Sequence, residues 1–242
     1  MYILDMAQFA IVGNRIPYTY FLASGQGESD AGSKGLPAET GSYDAALNSA
    51  GIEDANIVKY TSVVPPGAKE ISHEEGTKAI RWGEVMEAIM AQTNGKTGET
   101  ISAAVMITSV HNSKGEYIGS FACEYSGNGT EKEAKDALGL SISGMIERRG
   151  YGKTTAADVG VGSTITTDSG YKYYPGQKFV WSSMNIKKKH GTVLAGICFR
   201  EYQVPVIKLP EATPSPAIKT RKRTTRRATK KKKGGKRSRR HH

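Results

Sequence analysis

A hydroxyl pair, Thr61 and Ser62, stands a few residues before a Pro-Pro-Gly element at 65–67. Proline fixes its own φ angle and pushes the residue before it towards an extended conformation. The hydroxyls are therefore held on a stiff segment where backbone strain can be stored. A β-strand that runs into a turn explains the same residues without any chemistry, and these residues alone favour that simpler interpretation.

Two carboxylates have sequence surroundings that suit chemistry. Glu124 follows the apolar residues 121–123, where burial would raise its pKa and let it act as a general acid. A glutamate on the polar face of a strand edge is the simpler alternative. Asp44 can accept two hydrogen bonds from a guanidinium group, or it can be a first-turn acid favoured by the helix dipole.

The segment 59–67 resembles the self-cleavage site of the pyruvoyl-dependent arginine decarboxylase family. Other stretches resemble further motifs of that family in the same order, namely residues 43–52, 56–59, 98–104, 121–125, a helix at 131–147 followed by Arg149-Gly150, and an apolar strand at 192–202. The resemblance covers the chain from about Pro17 to Tyr202. Ordered motifs at consistent spacing are a strong signal, whereas each motif alone is weak.

The resemblance implies that the Ser62 hydroxyl attacks the Thr61 carbonyl and forms an ester. Elimination then frees the Thr61 carboxylate, and hydrolysis leaves a covalent pyruvoyl group in place of Ser62. This ketone forms a Schiff base with the substrate amine and takes up the electrons that decarboxylation leaves at Cα, a service that other enzymes obtain from pyridoxal phosphate. Neither pyridoxal phosphate nor a metal is expected.

The resemblance also assigns roles to individual residues. Glu124 becomes the acid that protonates Cα after CO₂ leaves, and Asp44 pairs with the cationic side chain of the substrate. Leu47 lines the same pocket. Asn56 either polarises the scissile carbonyl, as an oxyanion donor does, or caps a turn, and the two alternatives are equally supported.

The expected function is conversion of L-arginine to agmatine and CO₂ for polyamine synthesis or acid resistance. The resemblance further implies a homotrimer of two-chain protomers, with active sites between neighbouring subunits. One alternative is a pyruvoyl-dependent decarboxylase of another amino acid, because one aspartate cannot distinguish arginine from other cations. The other is a basic nucleic-acid-binding protein on an inactive decarboxylase scaffold.

The expected fold class is α+β, a layered αββα-type sandwich of β-sheets flanked by helices. The predicted strands are residues 17–25, 56–64, 101–110, 117–125 and 193–202. The predicted helices are 43–50 after an N-cap at Ser42, and 131–147 after an N-cap at Thr130. Residues 25–41 are assigned to a loop, and 151–190 to an added loop or hairpin. Residues 82–91 have helical spacing, but the resemblance favours a strand there.

Charge divides the chain unevenly. Of the 34 Lys and Arg residues, 14 lie between Lys219 and Arg240, which leaves 20 basic against 23 acidic residues and a net charge of about −3 for the remainder. We expect an N-terminal extension at 1–16, a decarboxylase domain at 17–209 cleaved into a β chain (1–61) and an α chain (62–242), and a proline-containing linker with a disordered basic tail at 210–242. The tail suits non-specific nucleic-acid binding.

The remaining composition indicates a cytoplasmic protein without a membrane segment. Cys123 and Cys198 are too few for a disulfide framework, and both lie in apolar stretches where a buried thiol is expected. No secretory signal is evident at the start, and no stretch approaches the ~18–20 continuous apolar residues that span a bilayer.

Overall fold

The computed structural model describes residues 13–31, 38–154 and 162–205. These residues contain twelve strands and three helices. The helices are α1 (Ala38–Ala50), α2 (His73–Lys78) and α3 (Glu131–Arg148). The strands are β1 (Ile16–Pro17), β2 (Thr19–Ser29), β3 (Asn56–Lys59), β4 (Val63–Val64), β5 (Lys69–Glu70), β6 (Val85–Lys96), β7 (Thr100–His111), β8 (Tyr117–Gly127), β9 (Ile165–Thr166), β10 (Lys172–Asn185), β11 (His190–Phe199) and β12 (Tyr202–Gln203). The predicted linker and basic tail at 210–242 lie outside the described residues, as do residues 1–12 of the predicted extension.

The strands form two five-stranded sheets and a small ribbon. One sheet has the order β4-β8-β7-β10-β9 and the other has the order β3-β6-β11-β2-β5, while β1 pairs with β12. The pairs β2–β5 and β3–β6 are parallel, and the other pairs are antiparallel. The short strands β3 and β4 therefore lie at the edges of two different sheets.

Three apolar clusters show how these layers pack. One cluster lies between the two sheets and is built mainly from β7 and β11. A second joins the outer face of the β7–β8 sheet to α3, and a third joins the outer face of the β2–β6 sheet to α1. The α+β class is confirmed, and the layering is consistent with the expected sandwich. Because β7 and β11 are covered on both faces, nearly all their residues are buried.

The assignment of residues 25–41 to a loop is wrong at both ends. β2 continues to Ser29, and α1 begins at Ala38 rather than after Ser42. Ser42 is a buried helix residue whose hydroxyl lies 2.8 Å from that of Thr192. Residues 32–37 are outside the described part of the chain.

Two glycines explain why the sequence of this strand predicts a loop. A Cβ atom on Gly25 would come within 2.1 Å of the Ala46 carbonyl oxygen, and one on Gly27 would come within 2.5 Å of the Ala46 nitrogen. Glycine is therefore needed here because α1 lies directly on the strand, and not because the chain turns.

The stretch 151–190 is also more regular than predicted. β10 pairs with β7 from Lys172 opposite His111 to Asn185 opposite Thr100, so it is a main strand of its sheet and not an added loop. The register shifts between Tyr174 and Lys178, where the sequence is Pro-Gly-Gln. This irregularity interrupts the alternating pattern by which a strand is recognised.

Other elements follow the sequence more closely. The strand favoured for 82–91 is confirmed as β6, and the helical spacing there was misleading because both faces of β6 carry buried residues. Thr130 is confirmed as the N-cap of α3, where it forms a capping box with Glu133. The predicted strand at 56–64 is interrupted, because residues 60–62 cross from β3 in one sheet to β4 in the other. In the described residues, no helix is long and apolar enough to cross a membrane.

Candidate active site

The Thr61–Ser62 peptide lies in the crossing between the two sheets. The Ser62 carbonyl oxygen accepts a 3.0 Å hydrogen bond from the Ala122 N–H on β8, and the Thr61 carbonyl oxygen accepts a 3.2 Å hydrogen bond from the Val63 N–H. β4 then pairs with β8 through Val63 opposite Phe121. Ser62 is thus held against β8 by its own carbonyl oxygen and by the strand pairing that follows it, while the Thr61 carbonyl oxygen is bonded within the crossing segment.

Two neighbouring depressions open at Ser62. The first is lined by Thr61, Ser62, Val63 and residues of the C-terminal part of α3, among them Arg148 and Arg149. The second, with a volume of about 370 Å³, runs between the edge of β8 and α3 and is lined by Ser62, Glu124, Cys123 and Arg148, among others. The structure therefore brings together three of the residues singled out from the sequence, namely Thr61, Ser62 and Glu124.

Glu124 has the electrostatic surroundings expected of a proton donor. Its side chain is exposed in the single chain, yet loss of solvent around the carboxyl raises its pKa above the ordinary value. Its own backbone amide, the charge of Lys59 and a hydrogen bond with Ser62 act in the opposite direction without cancelling the effect. Ser62 and Glu124 are therefore direct neighbours, although they lie 62 positions apart in the sequence.

Cys123 lines the same depression, but its thiol is unreactive. The thiol is buried and donates a 3.3 Å hydrogen bond to the Met145 sulfur. Burial, assisted by the charge of Glu124, raises its pKa to about 12. A thiol in this state is not a nucleophile at neutral pH. Cys198 is free and buried as well, so the predicted burial of both thiols is confirmed.

The side chain of Asn56 is engaged elsewhere in the single chain. It lies at the start of β3, where its amide nitrogen donates a 2.9 Å hydrogen bond to the Gly83 carbonyl oxygen. The donor to the Thr61 carbonyl oxygen is instead the Val63 N–H. Of the two roles considered for Asn56, the turn-holding one is the contact seen within one chain.

Asp44 and Leu47 lie on α1, which packs on the opposite outer face of the sandwich from α3. Asp44 is exposed, whereas Leu47 is 8% exposed and belongs to the cluster between α1 and its sheet. Neither residue lines the depressions at Ser62. A site that combines Asp44 with Ser62 therefore requires two copies of the chain.

The arginine pair at the end of α3, Arg148 and Arg149, was not singled out from the sequence for a role in the site. Arg148 lines both depressions, and the Arg149 guanidinium lies 4.4 Å from the centroid of the Phe121 ring. A basic pair at the end of an amphipathic helix was a visible signal, but it is equally explained by the helix dipole. Only the packing of α3 against β8 shows that these charges face the Thr61–Ser62 peptide.

Known proteins of one family resemble this chain over most of its length. The family model for pyruvoyl-dependent arginine decarboxylase matches residues 19–204. A protein named pyruvoyl-dependent arginine decarboxylase AaxB from Chlamydia abortus is 30% identical over 204 residues, which cover 79% of this chain and 94% of the relative. The protein of that name from Chlamydia muridarum is 31% identical over the same shares of both chains. Pyruvoyl-dependent arginine decarboxylase 2 from Archaeoglobus fulgidus is 35% identical over 91 residues, which are 37% of this chain and 54% of the relative.

The chain belongs to the pyruvoyl-dependent arginine decarboxylase family. Membership implies a covalent pyruvoyl group as the cofactor. The residues around Ser62 fit such a group, because Ser62 lines both depressions and its carbonyl oxygen is bound to β8, with an acid beside it. Among the described residues, no group of three His, Cys, Asp or Glu side chains is placed to hold a metal ion.

Proposed function

We propose that the chain cleaves itself between Thr61 and Ser62 and then decarboxylates L-arginine to agmatine and CO₂. The observation that carries the proposal is the position of Ser62 in a chain of this family. A backbone hydrogen bond from Ala122 holds Ser62 on β8, beside the Glu124 carboxyl group, whose pKa is raised. The intact mass of the purified protein tests it. We expect two chains of 61 and 181 residues, the second with a blocked N-terminus, and a single uncleaved chain would contradict the proposal.

The cleavage begins with attack by the Ser62 oxygen on the Thr61 carbonyl carbon. The Val63 N–H already donates to the Thr61 carbonyl oxygen and stabilises the charge that develops there. The peptide C–N bond breaks, the Ser62 nitrogen takes up a proton, and an ester joins the two residues. Loss of the Ser62 Cα proton then expels the Thr61 carboxylate, which forms beside Arg148 and Arg149. Water converts the remaining dehydroalanine to the pyruvoyl group and releases ammonia.

Glu124 supplies the proton in the decarboxylation. The pyruvoyl group would supply a ketone that, once joined to the substrate amine, provides an electron sink for the pair left when the bond between Cα and the carboxylate breaks. A proton must then reach Cα, and Glu124 is suited to deliver one, since desolvation raises the pKa of its carboxyl above the ordinary value. The common depression that Ser62 and Glu124 line supports this role.

The proposed assembly is a homotrimer of two-chain protomers with Asp44 completing the site of a neighbouring subunit. Exposed apolar side chains lie on the elements around the cleavage site, and Trp82 is 88% exposed. Val58 on β3 and Val63 on β4 are also about half exposed. Apolar surface of this kind is typical of contacts between subunits.

We also propose a cytoplasmic location, with polyamine synthesis or acid resistance as the physiological role.

We expect Asp44→Asn to raise the KM for arginine about 10- to 150-fold, since a charge-assisted pair in a closed site contributes about 1.5–3 kcal/mol. The measurement is the initial rate against arginine concentration in the assembled protein. Asp136→Asn is a matched control, because Asp136 is an exposed helix aspartate on α3. Equal rates of the parent protein on arginine, lysine and histidine would show that Asp44 is not the residue that selects arginine.

The basic tail is expected to act independently of the chemistry. Truncation after Leu209 removes all 14 basic residues between Lys219 and Arg240 and no proposed active-site residue. Cleavage and turnover should be unchanged, while weak binding of the full-length protein to DNA or RNA should fall steeply with salt and disappear on truncation. A gel-shift titration at two salt concentrations measures this. Binding that survives truncation would place the basic surface on the domain, as the nucleic-acid-binding alternative requires.

A further inference from the structure

A buried carboxylate on β6 has no role in the chemistry described so far. Glu87 is only 2% exposed, and it forms an ion pair with Arg15, whose side chain is 53% exposed. It also accepts a 2.5 Å hydrogen bond from the Tyr202 hydroxyl. The Arg15 guanidinium lies 4.9 Å from the centroid of the Tyr202 ring. A buried carboxylate is costly unless it is paired and hydrogen-bonded, and here the partners come from both ends of the domain.

The same side chains reach the cleavage site through Tyr60, the residue directly before Thr61. The Tyr60 N–H donates a 2.8 Å hydrogen bond to the carbonyl oxygen of Ala88, the neighbour of Glu87 on β6. The side chains of Tyr60 and Tyr202 pack against the same apolar cluster between the two sheets. A continuous set of contacts therefore links Arg15, Glu87, Tyr202 and Tyr60.

These contacts cross the boundary that cleavage would create. Arg15 and Tyr60 precede Thr61, whereas Glu87 and Tyr202 follow Ser62. β1 also pairs with β12 beside the ion pair, and the Gly13 N–H donates to the Pro205 carbonyl oxygen at 2.7 Å. The end of the first chain is consequently held to the second chain by side chains that do not take part in the reaction.

We propose that Glu87, Tyr202 and Arg15 are positioning residues, which hold Tyr60 so that the Thr61 carbonyl is aligned for attack by Ser62. This role rests on the proposed self-cleavage. A reaction within one chain depends on alignment, and a displacement of about 1 Å can slow such a step ~10²-fold. Arg15 lies before the segment that the family model matches, residues 19–204.

The test measures the rate of cleavage in the full-length chain, made by cell-free translation and sampled over time by intact mass. Tyr202→Phe keeps the ring and removes only the hydroxyl, and we expect it to slow cleavage roughly 10- to 100-fold. Arg15→Met should slow cleavage as well, and Arg15→Lys should restore part of the rate because the ion pair can re-form. Glu87→Gln is not decisive, since breaking a buried ion pair strongly destabilises the fold.

Tyr173→Phe is the matched control. Tyr173 is fully buried beneath α3, and within the described residues its hydroxyl has no hydrogen-bond partner. It should cleave at the parent rate. Slower cleavage in Tyr202→Phe, with a thermal midpoint like that of Tyr173→Phe and partial rescue in the Arg15 pair, supports a positioning role. If Tyr202→Phe is cleaved at the rate of either the parent or Tyr173→Phe, the positioning role is overturned and the self-cleavage is not. If the parent chain stays intact, both the proposed self-cleavage and the positioning role are overturned.

Discussion

Ser62→Ala is expected to leave a single chain of 242 residues with no decarboxylase activity. The substitution removes the only oxygen that the proposal allows to attack the Thr61 carbonyl, and alanine cannot lose a leaving group to become dehydroalanine. The backbone hydrogen bonds from Ala122 and Val63 do not involve the hydroxyl, so the fold should be retained. Intact mass and the circular dichroism spectrum measure the two expectations.

Ser141→Ala is the matched control for this variant. Ser141 lines the same depression, but its hydroxyl donates to the Ala137 carbonyl oxygen within α3. This variant should be processed into two chains and remain active. A Ser62→Ala protein that is still cleaved after Thr61 would remove the basis of the proposed function. Failure of the Ser141→Ala protein to be processed would instead show that any change in the depression blocks cleavage.

Glu124→Gln is expected to lower kcat by ~10²–10⁴-fold while the chain is still cleaved. Glutamine keeps the size of the side chain but cannot deliver a proton to Cα. The measurement compares single-turnover release of CO₂ with the intact mass of the same sample. Glu116→Gln, in the turn between β7 and β8, is the control and should retain the parent rate. Unchanged turnover in Glu124→Gln would assign the acid to another residue.

The pH dependence of kcat provides a second check on Glu124. Desolvation raises the pKa of its carboxyl, so the protonated form persists to higher pH than in an ordinary glutamate and is lost as pH rises through the raised value. If this form supplies the proton, kcat of the parent protein should fall on the alkaline side of that pKa. The residual activity of Glu124→Gln should lack this decrease, because glutamine does not titrate.

Features encoded by neighbouring residues were predicted correctly from the sequence. Thr130 and Glu133 stand three positions apart, the spacing of a capping box, and this pair forms the N-cap of α3 as expected. The order of motifs around Thr61 and Ser62 identified the family, which the family model confirms over residues 19–204. Local patterns of this kind can be predicted because the residues concerned are close in sequence, so their contacts do not depend on the packing of distant segments.

Features that depend on distant contacts were misjudged or missed. The sequence predicts a loop from Gly25 onwards, because the close approach of α1 to β2 leaves no pattern within the strand itself. β10 was missed because a register shift interrupts its pattern. Neither the place of Arg148 beside Ser62 nor the pairing of Glu87 with Tyr202 follows from any spacing in the chain.

The candidate residues Thr61, Ser62 and Glu124, and their order along the chain, follow from the sequence because ordered motifs at consistent spacing resemble one family. Which of those residues meet is decided only by the packing of two sheets and two outer helices. Ser62 and Glu124 become neighbours because the crossing between β3 and β4 is bonded to β8, whereas Asp44 lies on the opposite outer layer because α1 covers the other sheet. Contacts between layers arise from the burial of whole apolar faces, and no local segment of the sequence carries that information.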